Sequence, residues 1–276
     1  MITWGVPATE GVEEMKIILS RKGFDTVNGG CPSPIMPDGT LLSMAIPSDD
    51  KCTYADIAYK GQSFDQLLKQ LNPCGNYQGC HLDPDIRRDV WLSLPDGWQP
   101  AFGQIGAAQG QLRNQGVGEG DLFLFFGWFR QVQQTLGGHC RYVSGAPHLH
   151  VIFGYLQVDR ILTHPSDVAR YNWHPHADES RRYHKNNALY LARKTLSFDN
   201  SKPGCGILNF GENRVLTLKN SSMATWREIP ALMPTNIVSE RKNSASGKGI
   251  YYKGIWQEMV LKENEESEAW AKSVLQ

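Results

Sequence analysis

Neither sign of charge is in excess in this chain. Lys plus Arg and Asp plus Glu number 28 each, so no global positive field draws it onto a nucleic-acid duplex, and any anion site has to be local. Thiols at metal-site spacing are also missing. The six cysteines (Cys31, Cys52, Cys74, Cys80, Cys140, Cys205) contain no Cys-x-x-Cys, which argues against structural zinc and for unpaired thiols in a reducing, cytoplasmic setting. No apolar run approaches the roughly 18 residues of a membrane helix, and the first residues lack the basic-then-apolar order of a signal peptide. Gly-x-Ser-x-Gly, a Walker loop and the dinucleotide glycine fingerprint are absent, which sets aside serine hydrolases of that type, ordinary nucleotide hydrolases and nicotinamide enzymes. With no internal repeat and no linker, one domain is expected over residues 15–276, after an N-terminal extension of residues 1–14.

What is there starts with apolar material: 41% of the residues are hydrophobic, ample for a sizeable core. The richest run is Asp121-Leu-Phe-Leu-Phe-Phe-Gly-Trp-Phe-Arg130, opened by Gly-x-Gly and read as a buried strand. A second run, His150–Val158, follows the turn signal Leu136-Gly137-Gly138, so the two are expected to pair antiparallel around that turn. Phe64, Leu67, Leu68 and Leu71 recur at helical spacing behind Ser63, a helix with an N-cap. Small residues between Gln104 and Gly116 predict a helix packed on the sheet, with Gln104, Gln109 and Gln111 as contacts to a base or a peptide edge or, the commoner case, as solvated surface.

Shorter elements fill the rest. Met15–Ser20 reads as a first strand, Pro37-Asp38-Gly39 as a hairpin turn after an edge arm, and Asn186–Arg193 and Val215–Leu218 as further strands. Trp226–Leu232 reads as a turn that buries its tryptophan, Ser239–Lys248 as a mobile insertion, and Trp256 and Trp270 as anchors of a terminal helix. The fold class is therefore α+β: a curved, mixed, mainly antiparallel sheet with flanking helices.

Chemistry-bearing residues gather at loops. Ser20, Arg21 and Lys22 stand where the first strand gives way to Asp25 and the glycines 29–30, a placement suited to an anion or equally to a solvated basic turn. His81, Asp83 and Asp85 alternate in an extended segment and should share a side, for acid–base or metal work, while either aspartate can instead cap a helix starting near Ile86. Two His-x-His pairs, His148/His150 and His174/His176, have a spacing able to hold a metal, though the proline between the latter fits a rigid loop as well. An iron site of two histidines and one carboxylate calls for His-x-Asp plus a distant histidine. His81-x-Asp83 is read in the reversed sense, so no metal ligand and no cofactor is assigned. Trp128 and Arg130 are expected to be accessible at the far end of the central strand. One cleft is thus expected to join Arg21, Lys22 and Arg130 as phosphate contacts with Asp25, His81 and Asp83, Asp85 being a further acid–base candidate and Ser20 and Trp128 further substrate contacts.

These segments carry a resemblance. Met15–Asp25, Gly29–Gly39, His81–Asp85, Pro100–Arg113, Gly116–Arg130, His150–Val158, His174–His176 and Asn186–Ala192 together resemble the third type of nucleotide-modification-associated domain, a bacterial and phage group linked to DNA-base modification. The chain departs from that pattern before Met15, in the Ser239–Lys248 insertion and in ending at Gln276 ahead of further strand. The resemblance implies a protein that acts on, or recognises, a nucleotide or DNA with modified bases. The neutral charge favours a free nucleotide or a single flipped base over a long duplex. A weaker analogy links the central strand pair to base-recognising barrels of the pseudouridine-synthase-and-archaeosine-transglycosylase type, which implies a reader without chemistry. The ionisable cluster exceeds what reading needs and tips the expectation toward an enzyme.

Overall fold

The computed structural model describes residues 15–239, 243–246, 249–254 and 257–276. The expected extension 1–14, Trp256 and part of the Ser239–Lys248 insertion lie outside them. The main sheet has nine strands, labelled β1 (Ile17–Arg21), β2 (Ser33–Ile35), β3 (Ala101–Ile105), β4 (Leu122–Gln134), β5 (Cys140–Tyr142), β6 (Leu149–Leu162), β7 (Asn187–Ala192), β8 (Cys205–Ile207) and β9 (Glu258–Val260). Their order is β9-β1-β4-β6-β7-β3, with β2 and β5 also on β4 and β8 also on β6. β1 and β2 run parallel to β4 and every other pair is antiparallel. The result is a curled, half-barrel mixed sheet with several helices, an α+β fold.

Side-chain alternation explains why β4 is apolar almost without interruption. Leu122, Leu124 and Phe126 face one core, together with Ile17 and Leu19 of β1, while Phe123, Phe125 and Phe129 face another with Ile18. A strand covered on both faces has no solvent side to make polar. β6 is long enough to serve two neighbours, pairing with β4 through Leu149–Gln157 and with β7 through Val158–Leu162, with a register shift between Val158 and Arg160. That handover curls the sheet and brings β7 and β3 round toward the end of β1.

The helix α1 (Phe64–Leu71) forms as its sequence implies. The Ser63 hydroxyl accepts from Gln66 N–H, the Gln66 side chain accepts from Ser63 N–H, and the four apolar positions are buried in a third core with Phe24 and Tyr54. α2 (Gly106–Asn114) follows β3 directly, and α3 (Glu265–Val274) is capped by Asn264, whose side chain accepts from Ser267 N–H. Trp226 is fully buried.

Several expectations need correction. The turn at Leu136–Gly138 closes the β4–β5 hairpin, and β6 reaches β4 only after that hairpin returns. No helix starts at Ile86; a short 3-10 turn over Arg88–Val90 carries no side-chain cap, because Asp83 and Asp85 bond elsewhere. Val215–Leu218 contributes only isolated bridges. Gln104 and Gln109 are buried, and Gln111 bonds Ser239 and the Glu258 backbone, since these amides close gaps between α2, β7 and β9. Within the insertion, Ser244–Ser246 is a strand paired with Gly249–Tyr251.

Candidate functional site

β1 ends beside β4 at Arg21, and the chain leaves the sheet through Lys22 and Gly23. Gly23 has a positive φ of 80°, and a side chain there would meet the Ser43 hydroxyl at 2.5 Å. Past this strand end lies a cleft of about 280 Å³ lined by Arg21, Lys22, Asp25, Asn28, Ile46, Ser48, His81, Asp83, Gln104, Ile105, His176, Arg181 and Gln257. Its walls come from four places: the end of β1, the two-residue strand Cys80–His81 paired with Ile46–Pro47, the edge strand β3, and the turn Pro175–Ala177.

Asp83 sits at the centre of the polar wall with a nearly buried side chain. Its Oδ1 accepts from Gly103 N–H at 2.7 Å, and three imidazoles approach: His174 Nε2 at 3.5 Å from Oδ1, His81 Nε2 at 3.8 Å and His176 Nε2 at 3.9 Å from Oδ2. Burial pushes this carboxyl up, but the His174 ring, the neighbouring His176 and the Lys22 ammonium outweigh it and hold it below the usual carboxylate range. The histidines move the other way. Burial pushes His176 down to about 3 and lowers His174, in each case against the pull of Asp83.

Each ring is oriented from behind. His81 Nδ1 lies 2.8 Å from Asp50 Oδ2, and Asp50 is gripped by the Arg181 guanidinium and by the Ser48 hydroxyl at 2.8 Å. Burial raises the Asp50 carboxyl, yet His81, Arg181 and Ser48 together keep it below its ordinary range. His176 Nδ1 lies 2.7 Å from Asn187 Oδ1, while Asn187 Nδ2 donates to His176 O at 3.1 Å. The close seat of His176 depends on Gly103, where an added Cβ would fall 2.2 Å from the imidazole.

The cations lining the cleft are compensated to different degrees. Lys22 Nζ is 3.3 Å from Glu258 Oε1 and 4.4 Å from the centre of the Phe102 ring, so it is committed to buried partners. Glu258 Oε1 also accepts from the Ser20 hydroxyl at 3.0 Å and from Gln104 Nε2 at 2.5 Å, and its Oε2 has no hydrogen-bond partner. Arg21 has the loosest engagement, 3.9 Å from Asp25. Asp25 accepts from the backbone N–H groups of Val27 and Asn28 at 2.8 and 2.6 Å, which shapes the loop at the rim.

Arg21, Lys22, Asp25, His81 and Asp83 thus share one cleft. The other expected site residues lie elsewhere. Ser20 is fully buried beneath Glu258. Asp85 turns away from His81 and Asp83, because the strand ends at His81 and Asp85 instead bridges Ala101. Its carboxylate accepts the indole N–H of Trp98 at 2.8 Å and of Trp91 at 3.0 Å, and burial pushes it up to about 7 despite those donors. Trp128 donates to His148 at 2.9 Å. Arg130 donates to the carbonyls of Ala146 and Val143 and lies over Tyr142. Neither Trp128 nor Arg130 lines the cleft.

Residues with no site role expected from the sequence complete the site: Asp50, Gly103, Asn187, Arg181 and Glu258. For His176 a signal existed. The ligand-capable atoms of His81, Asp83 and His176 all lie within 4.8 Å of one another. The order His81-x-Asp83 followed by a distant histidine is the order a two-histidine, one-carboxylate site requires, so the objection raised from the sequence fails.

A family model described as nucleotide modification associated domain 3 matches residues 16–269. No curated protein and no solved structure matches the chain. No helix among the described residues is long and apolar enough to cross a membrane.

Proposed function

We propose, from the premise that the chain belongs to the nucleotide modification associated domain 3 family, that the cleft beside β1 binds one nucleotide unit and modifies its base. The family supports a role in nucleotide modification; the assignment of that role to this cleft is our reading. The observation that carries it is the convergence of His81, Asp83 and His176 in a cleft that Arg21 also lines. A carboxylate and imidazoles in one cleft equip it for proton transfer, and a guanidinium in the same cleft equips it for phosphate. The volume of about 280 Å³ is near the lower end of the roughly 300–1,000 Å³ of small-molecule sites. It suits a free nucleotide or one extruded from a strand better than a stacked duplex.

Roles follow from how firmly each group is already engaged. Arg21, whose ion-pair partner among the described residues is Asp25 at 3.9 Å, is the cation assigned to a phosphate. Lys22 and Arg181 serve chiefly to hold Glu258 and Asp50 in place. His81 and Asp83 are the acid–base candidates, and Asp25 organises the loop over the cleft. Asp85 acts structurally under Trp91 and Trp98, and Ser20 acts through Glu258.

Titration of the protein with nucleoside monophosphates, and with the matching nucleosides, tests the phosphate half of this reading. Monophosphates should bind at least about tenfold more tightly than nucleosides, a gap of about 1.4 kcal/mol, and Arg21→Gln should close it. A preference that survives in Arg21→Gln would remove the phosphate from this cleft.

A further inference from the structure

We propose that His81 Nε2, Asp83 Oδ2 and His176 Nε2 together bind one divalent first-row transition ion facing the cleft. The inference deepens the nucleotide reading, because the ion would share the cleft proposed for the nucleotide; with the ion bound, His81 and Asp83 act as its ligands and no longer as free acid–base groups.

The argument starts with where the protons are. A carboxylate only accepts, so the 2.8 Å contact between His81 Nδ1 and Asp50 Oδ2 puts a ring proton on Nδ1, and in the neutral ring Nε2 then carries the lone pair. The Arg181 guanidinium keeps Asp50 in that role. At His176 the same logic applies through an amide. Asn187 Nδ2 donates to the His176 carbonyl at 3.1 Å, which fixes Oδ1 as the atom 2.7 Å from His176 Nδ1, so that nitrogen donates and Nε2 is again a lone pair. Both nitrogens lie near Asp83 Oδ2, at 3.8 and 3.9 Å, beyond hydrogen-bond range.

Asp83 is turned to match. Gly103 N–H occupies Oδ1 at 2.7 Å, and His174 adds to that side. Its Nδ1 accepts from His176 N–H at 3.2 Å, so its proton sits on Nε2, 3.5 Å from Asp83 Oδ1, buried and without a hydrogen-bond partner. No donor from the described residues reaches Oδ2. Three electron-rich atoms therefore stand within 4.8 Å of one another with no protein donor shared between them, a set of lone pairs that a cation would satisfy.

The chemistry of the donors narrows the ion. Magnesium and calcium take oxygen ligands, whereas two imidazoles with one carboxylate suit iron, manganese, cobalt, nickel or zinc. The remote nitrogen of each ligating ring is tied to a fixed acceptor, the support that metal-binding imidazoles commonly have. Three protein ligands on one wall leave the cleft side open for a substrate atom or water.

The test is titration of chelator-treated full-length protein with Co²⁺, Zn²⁺ and Mg²⁺ alone, without nucleotide, read by equilibrium dialysis, by visible absorption for Co²⁺ and by thermal melting. One Co²⁺ or Zn²⁺ per chain is expected, with a raised melting temperature and no competition from excess Mg²⁺. His81→Ala and His176→Ala should each weaken binding at least about 100-fold, Asn187→Ala about 10- to 100-fold, and His148→Ala not at all. His81 is the partly exposed member of the set, so His81→Ala remains informative where His176→Ala fails to fold, and cooperative melting of that variant verifies its fold. Substoichiometric binding, equal binding by His81→Ala, or displacement by Mg²⁺ would overturn the proposal. Because nucleotide is absent, a protein that binds nucleotide but no ion refutes this inference alone.

Discussion

His150 and His176 are both buried, both the second member of a His-x-His pair, and both pushed down to about 3 by burial. Around His150 the contacts are with rings, and the one charge acting on it among the described residues is the Arg21 guanidinium. Trp226 Nε1 donates to its Nδ1 at 3.0 Å, and Phe126, Trp226 and Tyr252 stand edge-on about it. Around His176 the neighbours are His81, His174 and the Asp83 carboxylate, with the cleft beyond. One imidazole closes an aromatic box as a hydrogen-bond acceptor, and the other presents a lone pair to a charged centre. The same three-letter pattern yields a core residue in one place and a candidate site residue in the other because long-range packing decides what it meets.

The largest effects should come from disturbing the charged centre, and one way does so without touching an ionisable group. Gly103→Ala forces a methyl against the His176 ring, which it would meet at 2.2 Å. Product formation should fall at least about 100-fold, as expected for displacement of a site residue by an ångström, with Asp83→Asn costing at least as much. Single-turnover mass analysis with folded variants checks both.

The aromatic box should respond in stability instead. His150→Phe leaves Trp226 N–H without its acceptor and should cost about 1–3 kcal/mol in denaturant unfolding, with product formation per folded molecule unchanged. The pH dependence sharpens this. A histidine whose folded value is depressed from 6.5 to about 3 resists protonation in the native state, so between those values the unfolded chain binds more protons. Its contribution is complete above about pH 6.5 and is lost as the pH falls toward 3. His174 and His176 shift in the same sense, so the acid limb of the stability curve should become shallower in His150→Phe without vanishing.

A smaller effect separates the two aspartates of the His81–Asp85 segment. Asp85 lies under two indoles, and Asp85→Asn keeps an acceptor for them, so product formation should stay within about twofold of wild type. A loss on the scale of Asp83→Asn would return Asp85 to the site. Smallest of all are Trp128→Ala and His148→Ala, a pair bonded to each other away from the cleft. Nucleotide binding should not change measurably in either, and weakening in Trp128→Ala would restore Trp128 as the substrate contact expected from the sequence.

Much of the fold was legible because it rests on local periodicity. The two-faced burial of Leu122–Phe129, the capped helix at Phe64–Leu71 and the buried Trp226 follow from patterns contained within a few residues. The candidate site was legible only in halves. Arg21, Lys22, Asp25, His81 and Asp83 stand in short recognisable segments, but nothing local reveals that Asp50 orients His81, that Gly103 makes room for His176 or that Asn187 turns its ring. Asp85 was misplaced because alternation holds only while a strand continues, and this strand stops at His81. Arg130 and Trp128 were misplaced because the far end of a curled strand is carried away from the cleft at the end of β1.

The most direct test is chemical. Purified protein, supplied in parallel with Fe²⁺, Mn²⁺ and Zn²⁺ and with a filtered small-molecule extract as the source of any co-substrate, is incubated with nucleotide pools and with plain and modified DNA, and the bases are followed by chromatography and mass spectrometry. A nucleotide or base whose mass changes with wild-type protein and stays unchanged with Asp83→Asn is the predicted result. Unchanged masses throughout, or the same product from Asp83→Asn, would contradict the account.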